Sequence, residues 1–452
     1  MLQHDDFSGG VDEYLRERRR QRCATHGAAA AFVIVIVAIA LCAAYAKQIG
    51  AAFGARPSAP AGGAGAAYPT KFATDNRMIG YYYPTISSGN CTSVPQLTPE
   101  TVQAHLYTHL IYSFSPPVSL TTWVLEDPSE AEANNYRAFN ALKRSHPLLT
   151  TMLSVGGDIP SVAPMSQMSA DASRRQTFAK ATVEFARRYG FDGLDFDWEF
   201  PGDTSRGGST NDPESFAALM RAMREAIDSE VLSDGQSRLV LSTIVPGGPG
   251  WGKNYRVPET VAYVDWINIL GYNVLGTWQP YTGCSAALHN ADKNGDSQAA
   301  AIAYFLDQAN STGHGPGKFN LGLSFWGIAY ALKTPVPTGQ AGPAMNAPAY
   351  TGAQKEANAG CTRQPGYLAY FEIHDIVSKK QPVVQLDTVQ QCEYFTYDAD
   401  QFVAYDDAKT LVAKIDYAFS LGLKGVSIWG IDADSGDHKL TSAVFNRVEA
   451  VS

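Results

Sequence analysis

The segment Phe191-Asp192-Gly193-Leu194-Asp195-Phe196-Asp197-Trp198-Glu199 alternates acidic and apolar residues over its last five positions. On a β-strand, side chains alternate between faces, so Asp195, Asp197 and Glu199 share one face while Phe196 and Trp198 take the other. Same-face neighbours lie about 7 Å apart at Cα, close enough for their carboxylates to interact. Carboxyls so placed do not all ionise easily, and one or more keeps a proton at a higher pH than usual. Glu199, the last of the row, is therefore a candidate proton donor near neutral pH. Coordination of a divalent cation and a plain solvated acidic turn are the competing readings of the same row. A second acidic stretch, Asp292-Lys293-Asn294-Gly295-Asp296, misses the EF-hand spacing: its glycine falls at position 4, and position 12 is Ala303.

A strand bearing such a row needs a scaffold that buries one end and opens the other. Short apolar runs recur at Met78–Tyr83, His109–Phe114, Leu148–Val155, Gly190–Glu199, Leu239–Pro246, Val264–Tyr272, Phe319–Trp326 and Gly425–Trp429. Helical patterns separate them, among others Asp171–Tyr189, Pro213–Val231, Gln298–Asn310 and Ala408–Leu421. Strand and helix in alternation imply right-handed parallel crossovers, and eight such strands imply an α/β protein of the (β/α)8, or TIM-barrel, type. The last two runs stand too far apart for one helix. Between them Cys392–Tyr397 and Gln401–Tyr405 read as a hairpin and Gly366–Val377 as another ordered segment. A small α+β insertion is expected between strands 7 and 8, at about 333–405.

The stretch 27–46 is uncharged and apolar, long enough for a helix that crosses a bilayer. Arg16, Arg18, Arg19, Arg20 and Arg22 precede it, so residues 1–26 are expected as a cytoplasmic tail. A type II membrane protein with an extracellular or luminal catalytic domain is expected, with secretion after cleavage near Ala44-Tyr45-Ala46 as the alternative. Residues 47–70, dominated by Ala, Gly and Pro, read as a flexible linker, and 71–452 as the catalytic barrel. Cys91, Cys284, Cys361 and Cys392 then face an oxidising compartment and allow three disulfide pairings. Asn90 and Asn310 begin glycosylation sequons. A net charge of −9 and a pI near 5.5 argue against a nucleic-acid partner. With 11% aromatic and only 17% charged residues, the chain suits an uncharged, hydroxyl-rich ligand on which rings can stack. A monomer is expected, with no metal and no cofactor.

Asp192-Gly193-Leu194-Asp195-Phe196-Asp197-Trp198-Glu199 resembles the DxxDxDxE signature of glycoside hydrolase family 18 chitinases. Further segments match that family in order. Gly80-Tyr81-Tyr82 resembles its first strand, His109-Leu110-Ile111-Tyr112-Ser113-Phe114 its second and Ser154-Val155-Gly156-Gly157 its SxGG. Leu270-Gly271-Tyr272-Asn273 with Gly276-Thr277-Trp278 is similar to its MTYD…GSW segment. Gly366–Ile373 resembles part of its insertion, Tyr405-Asp406-Asp407 the segment after that insertion, and Gly425–Trp429 its last strand.

The resemblance implies a retaining hydrolase of β-1,4-linked N-acetylglucosamine polymers, in which the substrate's own acetamido oxygen is the nucleophile. It implies that Glu199 protonates the glycosidic oxygen, Asp197 orients the acetamido group and relays charge from Asp195, and Tyr272 hydrogen-bonds the acetamido oxygen. Trp429 is implied as the floor beneath the sugar, Tyr81 and Ser154 as supports of Asp195, and Phe114, Gly156, Gly157, Asn273 and Trp278 as further substrate-side positions. Three departures bear on affinity: Asp158 where the family often carries Trp, Asn273 for Asp, and Phe325-Trp326-Gly327-Ile328 for FYGR. An endo-β-N-acetylglucosaminidase acting on glycoprotein glycans and a chitin-binding lectin on the same scaffold are the alternative functions.

Overall fold

The computed structural model describes residues 75–83, 97–290, 295–337, 339–351 and 366–452. The expected tail, membrane helix (27–46) and linker lie outside the described residues, as do Cys91, Cys361, the Asn90 sequon and residues 292–294 of the second acidic stretch. Among the described residues no helix is long and apolar enough to cross a membrane.

Eight strands close into an all-parallel barrel: β1 (Arg77–Tyr82), β2 (His109–Ser113), β3 (Thr150–Gly157), β4 (Gly193–Trp198), β5 (Val240–Val245), β6 (Trp266–Ile269), β7 (Phe319–Ser324) and β13 (Gly425–Trp429). Both faces of each strand are covered, so the strands are rich in apolar residues, with polar groups such as Ser154, Asp195, Ser242, Asn268 and Asn320 buried among them. The helices between them are locally encoded. Glu130–Ala141 starts on a Ser129/Glu132 capping box. In Ala172–Tyr189 the first turn is capped by Asp171, whose carboxylate accepts from the Arg174 amide, and the helix ends at Gly190 in the left-handed conformation (φ 83°). Phe196 and Trp198 point into the shell as expected, meeting Phe178 and Phe216 at ring-centroid distances of 6.3 and 6.1 Å.

The insertion is a five-stranded antiparallel sheet made of β8 (Trp326–Ala331), β9 (Tyr367–Ala369), β10 (Gln385–Asp387), β11 (Cys392–Tyr397) and β12 (Gln401–Tyr405), in the spatial order β10–β11–β12–β8–β9. It begins ahead of the expected residue 333. The run Phe319–Trp326 breaks at Phe325, and the chain leaves the barrel there to start β8. Gly327 permits close packing of β8, since a Cβ at that position would stand 2.6 Å from Ile373 and 2.9 Å from the Ala404 carbonyl. The sheet has its own small core around Tyr330, Phe402 and Tyr394. A disulfide between Cys284 and Cys392 ties the loop after β6 to β11, selecting one of the pairings that the sequence left open.

Candidate active site

Register brings the central carboxylate its partners. Asp195 on β4 lies level with Ser154 on β3 and Ser242 on β5. One carboxylate oxygen accepts from Ser242 at 2.6 Å, and the other from Ser154 at 3.0 Å and from the Tyr81 hydroxyl, reaching in from β1, at 3.1 Å. Burial pushes Asp195 above the usual carboxylate range, while the hydroxyl donors pull it back down. Asp197, one step nearer the mouth, is also buried, and its Oδ1 has no hydrogen-bond partner among the described residues. Its carboxyl shares a hydrogen bond with that of Glu199 just beyond the strand. Burial, then the charges of Glu199, Asp195 and Asp158, hold Asp197 well above its ordinary value. Burial and Asp158 raise Glu199 to about 7, with Arg206 and the Asp197 hydrogen bond opposing them. The pair therefore holds an ionisable proton close to neutral pH. That is the pattern of a proton donor at a barrel's C-terminal rim.

The loop carrying Glu199 is pinned on several sides. Tyr255 donates to the Trp198 carbonyl at 2.7 Å, and Asn254 to that of Pro201 at 2.7 Å. Arg206 donates to the Glu199 carbonyl, to Asp203 at 2.6 Å and to Asp158 at 2.7 Å. Asp158, replacing an expected aromatic surface, thus becomes one arm of an ion pair joining the loops after β3 and β4.

A cluster of aromatic rings lies beside the carboxyls. Trp429, ending β13, meets Tyr81 at 5.6 Å, Tyr83 at 5.8 Å and Phe114 at 5.8 Å. The Tyr272 hydroxyl lies in the field of all three carboxyls; burial first, then Asp197, Glu199 and Asp195, hold it far above the ordinary range, so it stays a donor. Gly156 and Gly157 are placed by packing: a Cβ on Gly156 would fall 2.0 Å from the Asp197 carbonyl, and one on Gly157 2.8 Å from the Phe114 ring. Cis peptide bonds follow Ser113, Glu199 and Trp429.

Two of the expected residues stand apart from this cluster. Asn273 is exposed in a left-handed turn (φ 57°), where its amide nitrogen and side chain both meet Ser285. Trp278 lies over Gly276 and is 55% exposed. Asn310 ends its helix on the surface, at an accessible position. Four residues went unnoticed in the sequence: Ser242, Arg206, Tyr83 and Trp251. Trp251 is 41% exposed and stacks on Phe200 at 5.4 Å. Only Tyr83 had a usable signal, since it shares a strand face with Tyr81.

The model of glycosyl hydrolases family 18 matches residues 77–434. Mouse chitotriosidase-1 is 31% identical over 357 residues, 76% of this chain and 70% of its own. The Ostrinia furnacalis group IV chitinase, solved with allosamidin, superposes with a TM-score of 0.72 at 27% identity, covering 83% of this chain and 98% of that one. Human YKL-39, a pseudo-chitinase with retained chitooligosaccharide binding, gives a TM-score of 0.71 at 25% identity over 82% of this chain and 99% of its own. The span of the family match and the barrel that carries it agree: this chain belongs to glycosyl hydrolases family 18.

Proposed function

We propose that the chain is a chitinase that cleaves β-1,4-linked N-acetylglucosamine polymers with retention, using Glu199 as general acid and base. The observation that carries this reading is the hydrogen-bonded Asp197–Glu199 pair, with Glu199 titrating near 7 beside the Trp429 aromatic cluster. Glu199 gives its proton to the glycosidic oxygen as the bond to C1 breaks. The substrate's acetamido oxygen attacks C1 and forms an oxazolinium ion, with the acetamido N–H donated to Asp197 and the Tyr272 hydroxyl donated to the acetamido oxygen. Water then attacks C1, Glu199 takes its proton, and the ring opens with the original configuration. A protein nucleophile would need a second carboxylate across the sugar, roughly 5 Å from the acid. Asp195 and Asp197 stand on one strand and Glu199 directly follows its end, so none of them faces the acid across the sugar, which favours the substrate's own oxygen.

YKL-39 shows that this scaffold can bind without turnover. Glu199 and its proton-sharing partner favour catalysis here. The Cys284–Cys392 disulfide suits an oxidising compartment, in keeping with a type II anchor at 27–46 that sets the barrel outside the cytoplasm. The decisive experiment is Glu199→Gln in the full chain. Release of 4-methylumbelliferone from N-acetylglucosamine oligomers is expected to fall by about 10²–10⁴-fold, with oligomer binding retained. Undiminished release by that variant would sink the assignment, and activity abolished by a chelator would turn it toward a metal-dependent reaction.

A further inference from the structure

The barrel interior contains a line of polar side chains where apolar packing would be simpler. Arg77 opens β1, at the end of the barrel away from Glu199. Its Nε donates to Asn320 Oδ1 at 2.8 Å, and Nη2 donates to the Gly317 carbonyl at 2.8 Å. Asn320 Nδ2 donates to Asn268 Oδ1 at 2.8 Å, and Asn268 Nδ2 donates to the Tyr81 hydroxyl at 2.9 Å. Tyr81 donates in turn to Asp195. Asn268 and Asn320 are level with each other on β6 and β7, and both are fully buried.

The direction of this chain is forced. A guanidinium only donates, so Asn320 must turn its oxygen toward Arg77 and its NH2 toward Asn268. Asn268 passes the same polarity on. Tyr81, already accepting from Asn268, has its single proton left for Asp195. Reversing either amide would set two donors or two acceptors face to face in a buried site, which is costly. Gly425 leaves room for the chain, because a Cβ there would stand 2.6 Å from Asn320 Oδ1.

We propose that Arg77 is a positioning residue for Asp195, acting through Asn320, Asn268 and Tyr81 to aim the tyrosine proton at that carboxylate and keep it a hydrogen-bond acceptor. With Asp195 fixed as acceptor, the mobile proton belongs to Asp197 and Glu199, where the proposed hydrolysis uses it; the inference rests on that reading. Arg77 remains a cation: burial lowers it only to about 10, with Asp75 and Asp265 opposing the loss, and it packs over the Trp266 ring at 5.3 Å. Lys318 shares its surroundings. The groups facing Asp195 are Tyr81, Ser154, Ser242 and Asp197, with the Tyr272 hydroxyl also in its field.

Arg77→Met, Arg77→Lys and Asn320→Asp in the full chain test this. Cutting the chain weakens a donor to the Asp195 carboxylate, so that group binds its proton more tightly and the acidic limb of kcat moves to higher pH. For Arg77→Met we expect kcat about tenfold lower, KM within about twofold, and the limb raised by about one pH unit. Arg77→Lys is expected to restore most of kcat. Asn320→Asp keeps an oxygen for Arg77 but loses the NH2 for Asn268, so it reproduces the Arg77→Met profile even where Arg77→Met folds poorly. Titration of the Asp195 carboxyl by carbon NMR follows the same shift without substrate. That readout separates failure of this inference from failure of the hydrolase assignment. An acidic limb and an Asp195 titration that stay in place in either folded variant overturn it, including the case in which activity drops through instability alone.

Discussion

If Glu199 is the acid, the alkaline limb of kcat/KM reports the free enzyme's Asp197–Glu199 pair, which shares one titration. Glu199 at about 7 places that limb near neutrality. On an uncharged N-acetylglucosamine oligomer, kcat/KM should then fall about tenfold for each pH unit above 7, reaching about one-tenth of its plateau at pH 8. The two charges flanking the acid make a test of sign. Asp158 raises Glu199 and Arg206 lowers it. Asp158→Asn should move the limb to lower pH, and Arg206→Met should move it higher. Asp158 is 77% exposed at its side chain, so water screens it. Two unit charges 4 Å apart in bulk water interact by about 1 kcal/mol, so a water-screened Asp158 is expected to account for a shift on the order of 0.7 pH unit. Because the Debye length shrinks to about 3 Å at 1 M salt, high salt should remove most of that difference. The assay is the pH dependence of fluorophore release at substrate well below KM. A wild-type limb above about pH 9, or an upward shift on Asp158→Asn, refutes Glu199 as the buried acid tuned by these neighbours.

Stability makes two further demands. Cys284→Ser with Cys392→Ser releases a crosslink spanning 108 residues, and a loss of about 2–5 kcal/mol is expected in chemical unfolding, while kcat stays near wild type because neither residue lies in the carboxyl cluster. Lys414 and Asp406 form a fully buried ion pair, with Thr410 also donating to Asp406 at 2.7 Å. Lys414→Met alone leaves a buried carboxylate uncompensated and should cost about 3–5 kcal/mol in urea unfolding, whereas adding Asp406→Leu should recover most of it. A single variant no less stable than the double would show that Asp406 is not charged in the fold.

The alternation from Asp195 to Glu199 was legible because a strand's period is two and both faces were marked, one by carboxylates and one by Phe196 and Trp198. The same rule applied to Tyr81 and Tyr83 would have put Tyr83 beside Trp429. The hairpin of β11 and β12 was visible for the same reason. The start of the insertion was not, because Phe319, Leu321, Leu323 and Phe325 keep one alternation without a break and only the departure at Phe325 divides barrel from sheet. Ser242, Asn268, Asn320 and Arg77 carried no local signal. They come from four different strands, and only closure of the barrel sets their register. Asp158 was noticed as a missing aromatic, but its partner Arg206 lies 48 residues on, so the replacement of a stacking surface by an ion pair had to be seen in three dimensions.

The barrel treats its two innermost carboxyls in opposite ways. Asp195 receives three hydroxyl donors, one of them Tyr81, itself oriented by Asn268; hydrogen bonds to a carboxylate contribute about 1.5–3 kcal/mol each, enough to offset much of its burial. Asp197, one alternation away, keeps an Oδ1 without a partner among the described residues, which costs about 1–3 kcal/mol or more for a charged group. A fold able to saturate one carboxyl so fully could have done the same for its neighbour two residues on. Leaving Asp197 short makes it the group whose energy changes most when a donor enters from the open end of the barrel. An acetamido N–H is such a donor, and satisfying Asp197 with it would favour the ionised form there. The shared proton would then move toward Glu199, where the glycosidic oxygen needs it. Under the proposed hydrolysis, the unsatisfied oxygen thus couples recognition of the acetamido group to loading of the acid.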